Sequence, residues 1–224
     1  MNGKIDKLIG LLQDKAITKQ YAYKNVYQVF KDFKACAQTI VKAINENENL
    51  TAHQVDVNIK ELNEFEFHIK VGGELIVFLM QTNIYQIPFS HSLFKSKYIS
   101  EDKSRSYFGQ ILVYNYLADT IKYNRQNDTG YLLARFFVNN DMHFYIEGVK
   151  NLNYTHPDIK RNVVNEDIIE DFILDTIQLS IETDLVTSSF KESFTLTLNE
   201  KNEFVSAAAG KKVGFKVGFK MSNQ

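Results

Sequence analysis

Apolar residues recur along this chain with two different periods. Tyr23, Val26, Phe30, Phe33, Ala37, Ile40 and Ile44 fall at spacings of three and four, which gathers them on one stripe of a helix. The pattern predicts a helix from about Lys19 to Asn47. At 1.5 Å per residue it spans on the order of 40 Å, longer than cover of a small sheet requires. Val26, Phe30, Phe33, Ala37 and Ile40 therefore have two readings: contacts across a sheet, or in part a surface for self-association. Their aromatic and Ala content is unlike the Leu and Ile seam of a dedicated coiled coil. Ahead of them, Ile5, Leu8, Ile9 and Leu12 mark a short amphipathic helix that ends before Thr18, read as an N-cap.

After the polar run Asn45 to Asn49 the period changes to two. Val55, Val57 and Ile59 alternate with polar residues, as do Phe65, Phe67, Ile69 and Val71. These are two strands with one apolar face each. Gly72-Gly73 signals a hairpin, and Glu74 to Met80 (ELIVFLM) is apolar on both faces, so the third strand is central. A turn at the two glycines pairs Ile69 with Ile76 and Phe67 with Phe78. His68 then faces Val77 on the less buried side.

The stretch from Gly109 to Gly148 holds most of the polar residues that solubility does not explain. Ile111, Tyr114, Leu117, Ala118 and Ile121 recur at helical spacing and predict a helix from Tyr107 to Tyr123. Asn124, Asn127, Asp128 and Gly130 make a turn. Tyr131–Val138 and Met142–Ile146, separated by Asn139, Asn140 and Asp141, read as a hairpin. Gln110, Tyr114, Asp119, Arg125, Asp128, Arg135, His143 and Glu147 are the candidate binding residues, gathered where helix and hairpin meet. Arg135 and Glu147 also fit a plain cross-strand pair on a solvated face.

Pro88–Asp102 reads as a linker. His91, Lys95, Lys97 and Arg105 lie there among aromatics, a composition that can stack on single-stranded nucleic acid but is here an ordinary loop. Val149–Arg161 is a second loop, and His156 and Asp158 in it lack the partners a metal site needs. Asn165 caps a helix with Glu166 and Asp167 in its first turn. Ile168, Ile169, Phe172, Ile173, Thr176 and Leu179 form its buried side. Glu166, Glu170, Asp171 and Asp175 form an acidic face, solvated or docking a basic partner. Phe194, Leu196 and Leu198, then Val213, Phe215, Val217 and Phe219, alternate as a terminal β-ribbon, with Lys212, Lys216 and Lys220 guarding its edge.

Composition narrows the classes. The 224 residues are 44% hydrophobic and 13% aromatic, which is globular. Twenty-six basic and 27 acidic side chains leave a net charge of -1, so no global attraction to nucleic acid or anionic membrane exists. A nucleic-acid partner would need a local patch. Cys36 is the one cysteine, which excludes an intrachain disulfide. No run approaches the roughly 18 apolar residues of a membrane span, and the first residues lack a signal-peptide core. A cytoplasmic location is expected, and the three Asn-Xaa-Thr sequons at Asn49, Asn127 and Asn153 are then chance. The wealth of Asn, Lys, Ile and Tyr matches an AT-rich bacterial genome or its phages. No Gly-rich phosphate loop, nucleophile elbow, paired Cys motif or His-Glu-Xaa-Xaa-His is present, and no cofactor or metal is expected.

A helix, three antiparallel strands, a helix and another strand, with Gln110-Ile-Leu-Val-Tyr114 on the second helix, resembles the PD-(D/E)XK nuclease fold and the Gln-Xaa-Xaa-Xaa-Tyr motif of its RecB-like members. The resemblance covers about Lys19 to Ile146. It implies nucleic acid as substrate and an acid, then an acid-Xaa-Lys, on successive strands around Mg²⁺. Leu79 and Gln81 stand where that acid and lysine belong, so the resemblance implies a divergent or inactive member using Glu66, Glu74, Gln110 and Tyr114.

The expectation is an α+β protein: a long N-terminal helix on an antiparallel sheet, two further helices and a C-terminal β-ribbon. Residues 1–190 form one domain and 191–224 an appendage. The expected function is a non-enzymatic binding or assembly protein that self-associates through the long helix or the tail, or docks a protein partner. The divergent nuclease is one alternative. A binder of a small anion through Arg135, His143 and Tyr145 is another.

Overall fold

A computed structural model describes residues 2–152, 159–183, 185–186 and 211–212. The chain opens in one long helical rod. α1 (Asn2–Leu11), a π turn (Leu12–Ala16) and α2 (Ile17–Asn45) follow without leaving the right-handed helical region at Leu11, Ala16 or Ile17. Thr18 is therefore no N-cap. Its hydroxyl donates to the Asp14 carbonyl at 2.7 Å, one turn back inside the helix. The side chain of Asn47 caps α3 (Glu48–Ala52) by accepting from Leu50 N–H.

Six antiparallel strands follow as a meander in sequence order: β1 (Val57–Asn63), β2 (Glu66–Val71), β3 (Glu74–Gln86), β4 (Tyr107–Leu117), β5 (Tyr131–Asn139) and β6 (Phe144–Gly148). The β2–β3 register is the one the two glycines dictate, with Ile69 opposite Ile76, Phe67 opposite Phe78 and His68 opposite Val77. Gly72 takes φ +56° in that turn, a conformation that an L side chain resists. The segment read as a linker between β3 and β4 is ordered as a 3₁₀ turn (Ser92–Lys95), α4 (Lys97–Glu101) and a second 3₁₀ turn (Lys103–Ser106). Asn165 caps α6 (Glu166–Ile181) through a 2.9 Å bond from Ile168 N–H.

The helix expected over Tyr107–Tyr123 is a correction. Residues 107–117 are β4, and only Ala118–Lys122 is helical, as the short α5. β4 lies between β3 and β5 and is buried almost throughout. A strand covered on both faces is apolar at nearly every position, and helical spacings can then be picked out of it. Its aromatic and β-branched content was the truer signal.

The sheet has two unlike faces. One carries Phe67, Ile69, Ile76, Phe78, Met80, Ile111, Val113, Phe136, Phe144 and Ile146, and packs against Val26, Phe30, Phe33, Ala37 and Ile40 of α2 and Phe172 and Ile173 of α6. Val26, Phe30, Phe33 and Ala37 have no exposed surface, and Ile40 is 6% exposed. Val26, Phe30, Phe33 and Ala37 belong wholly to the core of the chain itself and present nothing to a second subunit, which corrects them as self-association residues; Ile40 alone keeps a sliver of surface. On the other face a smaller core joins Ile87, Phe108, Phe137 and Tyr145 to Tyr98, Ile99 and Ile159. Of the residues expected to form the C-terminal ribbon, only Lys211–Lys212 are described, as β8, which pairs antiparallel with β7 (Leu185–Val186) ahead of that expected ribbon. The rest, with His156 and Asp158, lies outside the described residues.

Candidate functional site

The eight candidate binding residues are not brought together. Asp119, Arg125 and Asp128 sit beyond the Leu117 end of β4, where Asp128 accepts from the Thr120 hydroxyl at 2.8 Å. His143 lies at the opposite end, facing Asn139, which pairs with Phe108. Ten residues of extended strand at 3.3 Å each put these ends roughly 30 Å apart. The helix-and-hairpin junction that would have gathered them does not exist, since the first partner is a strand.

Arg135 and Glu147 do form the cross-strand pair that their register allows, and His91 approaches the same carboxylate at 3.5 Å. The Arg135 guanidinium also lies 5.4 Å from the centre of the Phe137 ring. Tyr145 is stacked on Phe137 with ring centres 4.4 Å apart, and burial holds its phenol far above the usual tyrosine range. His143 donates Nδ1–H to the Ile159 carbonyl at 2.8 Å and lies 4.7 Å from the Tyr98 ring. Each member of the proposed anion pocket is thus engaged in packing or pairing of its own.

The nuclease-like arrangement also comes apart. Gln110 and Tyr114 stand on β4, not on a helix, on the face turned away from α2. Gln110 donates to Gln81 Oε1 at 2.7 Å and leaves its own buried Oε1 without a hydrogen bond. Glu66 shares a face with His68, and Glu74 shares the opposite one with Ile76. Successive strand residues point to opposite sides, so the sheet separates the two carboxylates. No group of three or more potential metal ligands occurs among the described residues. His68, expected on the less buried face, is 4% exposed there and bonds Glu66 at 2.7 Å.

One polar network, unread in the sequence, locks the β5–β6 turn. Asn139, fully buried, donates to the Tyr98 hydroxyl at 3.1 Å and accepts from the N–H groups of Asp141 and His143. Tyr98 donates to Asp141 Oδ2, which also receives Arg105 Nε, both at 3.0 Å. From α2, Asn25 donates to the carbonyls of Asn139 and Asn140. Nearly every donor meets an acceptor within this network, which is the signature of a structural staple.

Among the described residues, the outer side of the N-terminal rod is left without a partner. Ile5, Leu8, Ile9, Leu12, Ile17 and Tyr21 are 46–56% exposed. The π turn explains why they line up. It adds one residue to a turn, so Leu12 and Ile17, five apart, stay on one side while Ala22 and Val26 turn to the sheet. A recess of about 540 Å³ opens along this stripe between Ile9, Leu12, Ile17 and Tyr21. The sequence showed Ile5, Leu8, Ile9 and Leu12 as an amphipathic helix. It did not show that their apolar side would stay exposed among the described residues, nor that Ile17 and Tyr21 would extend it.

A second surface lies between α2 and α6, a groove of about 450 Å³ with Cys36, Ile40, Val164 and Ile169 in its lining and Asp32, Glu166 and Glu170 around them. Burial, and then the charges of Glu170 and Glu166, push the Cys36 thiol above its ordinary pKa. No helix of the described residues is long and apolar enough to cross a membrane. No protein-family model, curated protein or solved structure matches this chain.

Proposed function

We propose that this chain is a non-enzymatic binding and assembly protein whose N-terminal helical arm docks on a protein partner. The exposed stripe Ile5–Leu8–Ile9–Leu12–Ile17–Tyr21 is the observation that supports this reading. Six large side chains about half exposed present roughly 500 Å² of contiguous apolar surface, the size at which a patch on a monomer is often functional. α1 also carries Gly10 in its interior, and a helix-interior glycine costs about 1 kcal/mol relative to Ala. A partner along the stripe would offset that cost.

The test compares solution mass by light scattering, over a wide range of concentrations, for wild type and Leu8→Asp/Leu12→Asp. Wild type is expected to gain mass with concentration, and the double variant to stay monomeric with an unchanged melting temperature. Equal masses for the two proteins at every concentration would remove the arm as a self-docking element.

A further inference from the structure

We propose that the N-terminal arm of one copy of this chain docks in the groove between α2 and α6 of a second copy, so that the protein assembles head to tail. This rests on the reading of the arm as a docking element and names what receives it.

Charge selects the receptor. Residues 2–24 hold Lys4, Lys7, Lys15, Lys19 and Lys24 against Asp6 and Asp14, a balance of +3; with -1 for the whole chain, the remainder carries -4. Two arms laid against each other would bring like charges together. The groove has the opposite sign: Asp32, Glu166 and Glu170 line it, with no Lys or Arg among its lining residues. Asp167 and Asp171 continue the acidic surface along the exposed side of α6. Between the carboxylates the floor is apolar at Cys36, Ile40 and Ile169. An apolar helix stripe with basic neighbours, set into an apolar groove with an acidic rim, is a recurrent way for one protein to hold a helix of another.

Geometry makes the contact intermolecular. Asp32, Cys36 and Ile40 stand on the same continuous α2 that the arm begins. Leu12 and Asp32 are twenty residues apart, about 30 Å along a helix, and the arm cannot fold back without breaking it. The contact is heterologous, since arm and groove are different surfaces, and each docked pair leaves one arm and one groove open. Such contacts close into rings or grow into filaments. The groove is smaller than the arm's roughly 500 Å² of apolar surface and takes up only part of it, so the contact stays below about 1,000 Å² in all, in the range of weak, transient interfaces. Reversible association is expected.

Two variants and one chemical probe test this on the full chain. Leu8→Asp/Leu12→Asp disables the arm, and Asp32→Lys/Glu170→Lys disables the groove at solvent-accessible positions; circular dichroism checks that both fold. Each variant alone should be monomeric by sedimentation, and an equimolar mixture should form a heterodimer that grows no further, because only one arm and one groove remain functional. In the unmutated protein, alkylation of Cys36, the single thiol, should slow several-fold as concentration rises, and this slowing should be absent in either variant alone. If the groove variant still self-associates like wild type, the second-copy groove is overturned while the arm reading survives. If wild type stays monomeric and binds phosphatidylserine vesicles, a lipid surface replaces the second copy. If arm variant and wild type have the same mass throughout, both readings fall.

Discussion

Gly109 on β4 lies directly beneath Val26 of α2, so close that a Cβ on the glycine would stand 2.7 Å from Val26 Cβ and nearer still to its Cγ1. The missing side chain is what lets helix and sheet approach. Both partners are fully buried, so the strain of an added methyl has nowhere to go. Gly109→Ala is expected to destabilise the fold by about 1–3 kcal/mol through overpacking. Urea denaturation of Gly109→Ala, Val26→Ala and the double variant measures it. Val26→Ala should recover part of the loss, and simple additivity of the two would disprove the contact as its cause.

Phe33 sits at the junction of α2, the sheet and α6, with ring centres 6.0 Å from Phe78, 5.2 Å from Phe136 and 5.7 Å from Phe172. Phe33→Ala should cost about 3–5 kcal/mol, from lost burial and the cavity left among three rings. Leu12→Ala, on the exposed arm, should leave the monomer's stability within about 0.5 kcal/mol. Thermal melts at low protein concentration compare the two. A similar cost at both positions would show that the arm packs on the body of the monomer.

The Arg135–Glu147 pair is partly solvated, with side chains 44% and 35% exposed. Solvent screens it, and Arg135→Ala should lose only about 0.2–1 kcal/mol. A double-mutant cycle with Glu147→Gln, repeated in high salt, isolates the coupling. A coupling of several kcal/mol that salt leaves untouched would contradict a solvated cross-strand pair.

Burial raises the pKa of both Tyr98 and Tyr145 far beyond that of a free phenol. A phenol whose folded pKa lies above its unfolded value, near 10, stabilises the fold fully below pH 10. That stability is lost as pH climbs from there towards the folded value. Stability should therefore fall steeply above pH 10, and spectrophotometric titration should show two slow phenols that ionise only as the chain unfolds. Immediate ionisation of all 12 tyrosines on a jump to pH 12 would refute their burial.

The element types were legible where one face alone is buried, or where a turn signal sets off a strand. α2 and α6 announce themselves by stripes of three and four, β2 by alternation, and β3 by an apolar run set off by the two glycines, down to the pairing of Ile69 with Ile76. Asn165 and its acidic first turn marked the start of α6. β4, central like β3, has neither a polar face to set its period nor a glycine turn ahead of it to mark it as a strand, so helical spacings compete within it. The candidate binding residues were misplaced with it, since turning a helix into an 11-residue strand carried Asp119 and His143 to opposite ends of the sheet.

Sequence by itself thus determined the α+β class, the long amphipathic helix and the hairpin registers, because local periodicity and turn chemistry are written in neighbouring residues. Which apolar stripe is covered is a different kind of fact. Phe30 and Leu12 both lie on helical stripes of the same rod, yet one is wholly buried and the other 53% exposed. The π turn between Leu12 and Ala16, and the reach of the sheet beneath α2, decide that difference. Burial depends on partners distant in the chain, and only the tertiary structure brings them to Phe30 and, among the described residues, leaves Leu12 exposed.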